Sequence, residues 1–316
     1  MKSLATFTLL CLALLATSTA TLADPITFNI TTIDVPGATS TAAIGINNAG
    51  QIAGSYTNAT GTHGFIDTNG VFTTVDVPGS SFTQITSINN VGQMVGFYSG
   101  GVFLDTNGTF SNINVPASSF PIAIGTPGQV AINDSGQIVG STNTGQAFLY
   151  ANGILTFLPL LSPTFDHNFA FGINNEGAVA GSYNYNAGIA YTAFVYLNGN
   201  YTFFGGTEQA AYGINNAGDV LWNFGGGQGL PGTVLLKDGV ANLLPPFPEP
   251  STFFEGFARG LNDADEIVGT YLGTAGSHGF LATPTPEPAS LVLLAFGLLI
   301  IGSVIRRKSH QSVNAR

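Results

Sequence analysis

The chain has 316 residues, 42 of them Gly and 24 Phe, with 44% hydrophobic and only 8% charged residues. That hydrophobic share excludes a disordered chain. Lys, Glu, Met and Arg are scarce, while Gly, Asn, Thr, Val, Ile and Phe dominate, which excludes a mainly helical chain in favour of short strands and tight turns. Between positions 24 and 287 only Lys237 and Arg259 oppose seventeen acidic residues, a net charge of −15, which repels phosphate backbones and excludes nucleic acid as a partner.

In chain order, residues 1–23 read as a cleaved signal peptide: Lys2, the apolar run LATFTLLCLALLA, then small residues with cleavage fitting after Ala20 or Ala23. The run is too short for a comfortable membrane span. The single cysteine, Cys11, lies inside it and follows Leu10, where a bacterial lipoprotein signal carries a small residue. The mature chain is therefore expected to lack thiols, disulfides and cysteine metal sites.

Residues 24–283 read as one repeat domain. The hairpin GINNAGQIAGSY (45–56) returns at 87–98, 131–142, 172–183, 213–224 and 260–271. Its turns start at Asn47, Asn89, Asn133, Asn174, Asn215 and Asn262, with spacings of 42, 44, 41, 41 and 47 residues. That period, with short strands, is the range of propeller blades. Residues 84–115 show one unit: QITSI, turn NNVG, QMVGFY, turn SGG, VFLD, turn TNG, TFSNINV. Asn-Gly marks a tight hairpin, and four antiparallel strands make one blade. The sixth unit stops after HGFLATP without its fourth strand, whereas ITFNITTIDVPG (26–37) matches the fourth-strand text GVFTTVDVPG (70–79). The expectation is an all-β, six-bladed propeller whose N-terminal strand closes the last blade and leaves no sheet edge at the seam. A β-solenoid is the competing architecture, and it would need capped ends. Ile44, Ile46 and Ile52 are expected to bury against neighbouring blades, and the repeated Asn residues to serve turns.

A functional site should break the repeat. Trp222, the only tryptophan, stands where other units carry small residues; beside glycines it could contact a glycan by stacking, or simply fill a blade core. Unit six replaces its turn glycine by Asp265 and adds Glu266, so Asp263, Asp265 and Glu266 form an oxygen cluster of the kind that binds calcium, or a solvated acidic turn. His63 and His278 occupy the same place in units one and six. No serine sits in a nucleophile elbow, and no two carboxylates are marked as a glycosidase pair.

Residues 284–316 form a separate tail. Pro286-Glu287-Pro288 precedes an apolar stretch, 289–305, expected to be a transmembrane helix, and Arg306, Arg307 and Lys308 follow at once, basic on the cytoplasmic side. The two prolines hold the chain extended around Glu287. These parts together resemble the PEP-CTERM sorting signal, with TPEP in place of the commoner VPEP. The resemblance implies recognition by an exosortase in a Gram-negative bacterium, processing of the tail, and delivery to the cell surface or exopolysaccharide matrix. Over residues 30–282, the GINNxGQIxG hairpins and the third-strand words HGFI (63–66), GVFL (101–104), QAFL (146–149), TAFV (192–195), TVLL (233–236) and HGFL (278–281) resemble the HAF repeat of exported bacterial proteins. That family carries no established activity. The functional expectation is an exported, non-enzymatic structural or binding protein, with exopolysaccharide or an envelope glycan as partner. A carbohydrate-active enzyme on the same scaffold is the alternative, and it rests on fold analogy.

Overall fold

The computed structural model describes residues 26–115, 129–142, 144–161, 167–185, 190–206, 209–224, 232–247, 257–274 and 276–285. The signal peptide, Pro286, Glu287, Pro288, the span 289–305 and Arg306, Arg307 and Lys308 lie outside the described residues.

The strand β1 (Phe28–Ile33) comes first. Blade one is β2 (Ser40–Ile46), β3 (Ile52–Asn58), β4 (Gly61–Thr68) and β5 (Val71–Val75); blade two is β6 (Thr83–Ile88), β7 (Met94–Tyr98), β8 (Gly101–Thr106) and β9 (Thr109–Ile113). Blade three is β10 (Ala131–Ile132), β11 (Ile138–Ser141), β12 (Ala147–Ala151) and β13 (Ile154–Phe157); blade four is β14 (His167–Ile173), β15 (Val179–Tyr185), β16 (Ala190–Leu197) and β17 (Asn200–Phe204). Blade five is β18 (Gln209–Ile214), β19 (Val220–Phe224), β20 (Gly232–Lys237) and β21 (Val240–Leu243). Blade six takes β22 (Phe257–Leu261), β23 (Ile267–Leu272) and β24 (Ser277–Pro284) from one end of the chain and β1 from the other, in the order β1-β24-β23-β22. Each blade is a four-stranded antiparallel sheet, and the first strand of each touches the first strands of both neighbours, so the six blades close a ring. None of the described residues is helical.

Local sequence explains the hairpins. The turn between third and fourth strands is Asn-Gly in four blades and Asp-Gly in blade five, and both residues take positive φ, as at Asn69 (54°) and Gly70 (83°). This is the type I′ geometry whose twist matches the strands it joins. The turn after each first strand is closed by a bond such as Gly50 N to Asn47 O (3.0 Å). Asp265 takes the glycine's place in blade six at φ 60°, a conformation Asp tolerates better than most side chains.

The cores lie between blades. Ile46 and Ile52 of blade one pack with Ile33 and Val268 of blade six across the seam. In five blades a Gly of the second strand pairs in register with a buried Phe of the third: Gly54 with Phe65, Gly96 with Phe103, Gly140 with Phe148, Gly181 with Phe194 and Gly269 with Phe280. A Cβ at Gly54 would collide with the Ala42 carbonyl oxygen and fall 2.9 Å from the Phe65 ring, so the glycine is what lets the ring lie on the sheet.

Candidate functional site: the central channel

The first strand of each blade lines the channel, and in five blades its pairing slips by one residue at the same place: between Ala43 and Gly45, Ile85 and Ser87, Ala170 and Gly172, Ala211 and Gly213, and Ala258 and Gly260. The residue skipped at each slip is a β-bulge, freed from the ladder and re-aimed. These residues are Ile44, Thr86, Phe171, Tyr212 and Arg259, and all line the channel. Ile44 was expected against a neighbouring blade; the bulge turns it into the bore instead, because the extra residue breaks the two-residue alternation. In blade three the lining residue next to the short β10 is Gln129. At the bulge, then, the residue lining the bore differs in each of the five blades that have one.

The mouth is rimmed by two circuits of hydrogen bonds. In the first, each turn Asn donates its Nδ2 to the carbonyl of the next: Asn47 to Asn89 (3.2 Å), Asn89 to Asn133 (3.0 Å), Asn133 to Asn174 (3.0 Å), Asn174 to Asn215 (3.1 Å), Asn215 to Asn262 (3.5 Å) and Asn262 back to Asn47 (3.2 Å). In the second, the backbone N–H of Asn48, Asn90, Asp134, Asn175, Asn216 and Asp263 each donates to the Oδ1 of the next member, with Asp263 returning to Asn48, all at 2.7–2.9 Å. The turn residues thus join blades as well as shaping their own hairpins.

Two members of the second circuit are carboxylates, on the opposed blades three and six. Asp134 Oδ2 accepts from Asn90 Nδ2 (2.9 Å) and Asn175 Nδ2 (2.7 Å). Asp263 Oδ2 accepts from Asn48 Nδ2 (2.6 Å) and Asn216 Nδ2 (2.8 Å). Burial alone would raise the Asp134 pKa, but the bonds from Asn90 and Asn175 outweigh it and hold the carboxyl below its ordinary range.

Deeper in the bore, the Phe171 and Tyr212 rings stack at 4.7 Å. Arg259 lies beside Tyr212 and keeps part of its surface open to the channel. Burial pulls its pKa below the ordinary arginine value, opposed by Tyr212; burial likewise pushes Tyr212 up, opposed by Arg259. The whole cavity has a volume of about 90 Å³.

The sequence-derived candidates fall elsewhere. Asp263, Asp265 and Glu266 turn to three different partners rather than to a common point. Asp263 belongs to the mouth circuit; Asp265 pairs with Lys237 Nζ (2.5 Å) and accepts from Asn215 (3.2 Å); Glu266 accepts from Asn262 (2.7 Å). Among the described residues no three His, Cys, Asp or Glu converge as a metal site. Trp222 is half-buried, with its ring 5.4 Å from that of Phe204 in the core between blades four and five. It pairs with Val234, so blade five exchanges the Gly–Phe pair of the other blades for Trp–Val. That exchange accounts for its place in the repeat without a ligand. His63 bonds Asp76 (2.8 Å) and His278 bonds Asp34 (2.9 Å), each within its own blade and each stacked near a tyrosine, Tyr56 or Tyr271.

No family model matches the chain, and no curated protein matches it. Among solved structures, it is similar to the extracellular domain of a protein described as a one-component system from B. thetaiotaomicron (10% identity, TM-score 0.45), covering 80% of this chain but only 39% of that one. It is similar to Aleuria aurantia lectin in complex with α-methyl-L-fucoside (9% identity, TM-score 0.43, 82% of this chain and 99% of that one). It is also similar to a protein described as an oxidoreductase (glucose dehydrogenase) from Thermus thermophilus (9% identity, TM-score 0.45, 81% and 99%). At these identities and TM-scores, none of the three likenesses bears on what this chain binds or does.

Proposed function

We propose that the protein is an exported, surface- or matrix-directed propeller with a non-catalytic binding role in a bacterial envelope, and that its ligand enters the central channel. One observation carries the binding reading: at the bulge that five blades share, the bore-lining residue is different each time, Ile44, Thr86, Phe171, Tyr212 and Arg259. A purely mechanical ring has no need of an Arg, a Tyr, a Thr and a Gln there. The carboxylates at the mouth suit hydrogen-bonding better than catalysis. A glycosidase acid needs a raised pKa, whereas Asp134 is held low by three donated bonds.

The sorting tail supports the address. In this reading an exosortase takes Pro286, Glu287 and Pro288 as its motif, the helix 289–305 anchors the chain before processing, and the repeat domain is released to the surface or the exopolysaccharide. Fractionation of a host culture tests it. A processed form should reach the envelope and matrix, and Glu287→Ala should leave the full-length form in the inner membrane. A full-length form that stays in the cytoplasm would overturn the reading.

A further inference from the structure

Arg259 is the only cation among the residues lining the bore, and no hydrogen bond or ion pair joins it to another described residue. An uncompensated guanidinium inside a protein is costly, and an anion relieves that cost. The two carboxylates in the lining, Asp134 and Asp263, are committed to Asn amides. Across the ring, on the opposed blade, Gln129 is 5% exposed and its Oε1 has no hydrogen-bond partner. That oxygen is enclosed by protein, so Arg259 is the unpartnered group that the bore leaves open to a ligand.

We propose that the bore is a site for a small organic carboxylate, with Arg259 taking the carboxylate. This rests on the reading of the channel as the binding site and names its ligand class. Size limits the choice: about 90 Å³ holds several waters or one small organic anion, not a stretch of sugar chain. Charge limits it further. A single guanidinium matches a monoanion, whereas a dianion would carry excess negative charge past Asp134 and Asp263 into a strongly acidic protein. The walls of Ile44, Phe171 and Tyr212 suit a carbon skeleton over an inorganic ion.

The test is calorimetric titration of the full chain in mild detergent with glycolate and lactate, beside acetate, chloride and sulfate. Saturable one-to-one binding of glycolate, with Kd on the order of 1 mM for so small a ligand, is expected; acetate should bind similarly, and chloride and sulfate more weakly. Arg259→Gln should weaken glycolate about tenfold or more. The same variant should melt higher than wild type without ligand, because an unpaired charge is gone, and should lose the rise in Tm that glycolate gives. If Arg259→Gln fails to fold, Arg259→Lys, which keeps the charge but not the planar fork of donors, carries the test by weakening glycolate severalfold. An oligosaccharide ending in a uronate separates the sources: displacement of glycolate assigns the carboxylate to a glycan end, and no displacement assigns it to a free acid. No saturation, equal binding of sulfate, or an undiminished response in Arg259→Gln overturns the proposal. Host fractionation would still report on export independently.

Discussion

If the circuit of turn asparagines closes the ring, removing one member should cost no less at the seam than in the middle of the chain. Asn133 and Asn262 provide the comparison, because both are 3% exposed and both make the same four contacts. Asn133 Oδ1 accepts from Ser135 N (3.1 Å) and Gln137 N (3.0 Å), and its Nδ2 donates to Gln137 Oε1 (2.8 Å) and Asn174 O (3.0 Å). Asn262 Oδ1 accepts from Ala264 N (3.0 Å) and Glu266 N (3.0 Å), and its Nδ2 donates to Glu266 Oε2 (2.7 Å) and Asn47 O (3.2 Å). Each bond is worth about 0.5–1.5 kcal/mol net, and the groups left behind are buried, so Ala at either position should cost about 3 kcal/mol. For a chain of this size that is a fall in Tm of roughly 6–12 °C. Urea unfolding followed by far-UV circular dichroism and by the fluorescence of Trp222 measures it. The loss at Asn262 should at least equal that at Asn133, because Asn262 donates to the Glu266 carboxylate where Asn133 donates to a neutral amide. Three of the four bonds of Asn262 are local to its turn, so a loss at Asn262 of three quarters or less of that at Asn133 would refute closure, since the bond to Asn47 exists only if blade six meets blade one.

Three further outcomes follow from the same geometry. Trp222→Gly should cost about 3–5 kcal/mol, and adding Val234→Phe should recover more than half by restoring the Gly–Phe pair of the other blades; a double variant no better than the single one sinks that account. Deleting Phe28–Ile33 strips β24 of its six register partners, so gel filtration should show self-association through the bared edge; a monomer with an unchanged urea midpoint argues against it. Asp105 is 2% exposed with an unpartnered Oδ1, and burial raises its pKa against the Gly108 bond. A carboxyl raised on folding destabilises above its folded pKa, and the penalty fades as pH falls through that value toward the unfolded pKa of about 3.9. Asp105→Asn should therefore stabilise the protein at pH 7 and lose that advantage below about pH 4, and a pH-independent difference would show that charge is not the cause.

The blades were legible because their signals are local. Asn69-Gly70 and its counterparts specify a hairpin whatever surrounds them, and the match of residues 26–37 to 70–79 revealed the closing strand. The channel was not legible, because it depends on neighbours that only the ring brings together. Asn47 and Asn48 read as turn formers, and nothing local shows that their amides and carbonyls reach Asn89, Asn90, Asn262 and Asp263. Arg259 registered only as one of two basic residues. A usable signal existed: three positions before each turn Asn the residues are Ile44, Thr86, Val130, Phe171, Tyr212 and Arg259, dissimilar side chains within an otherwise repeating hairpin. Trp222 drew notice for being unique, yet its cross-strand partner Val234 shows compensation within the core.

The bulge explains why variation can be tolerated in the bore. A residue paired in the ladder sits between blades, where a change of one methylene is felt by both faces. A bulged residue has left the ladder, so its side chain can change without altering register, provided its neighbours permit the close approach of adjacent strands. Gly260 serves that need in blade six: a Cβ there would lie 2.8 Å from the Ile44 carbonyl oxygen. The rings of Asn and Asp bonds then hold the six first strands in place independently of what points inward. Closure and recognition are thus assigned to different columns of the same repeat, which is why an arginine without a protein partner can stand in the bore of a ring that is otherwise closely satisfied.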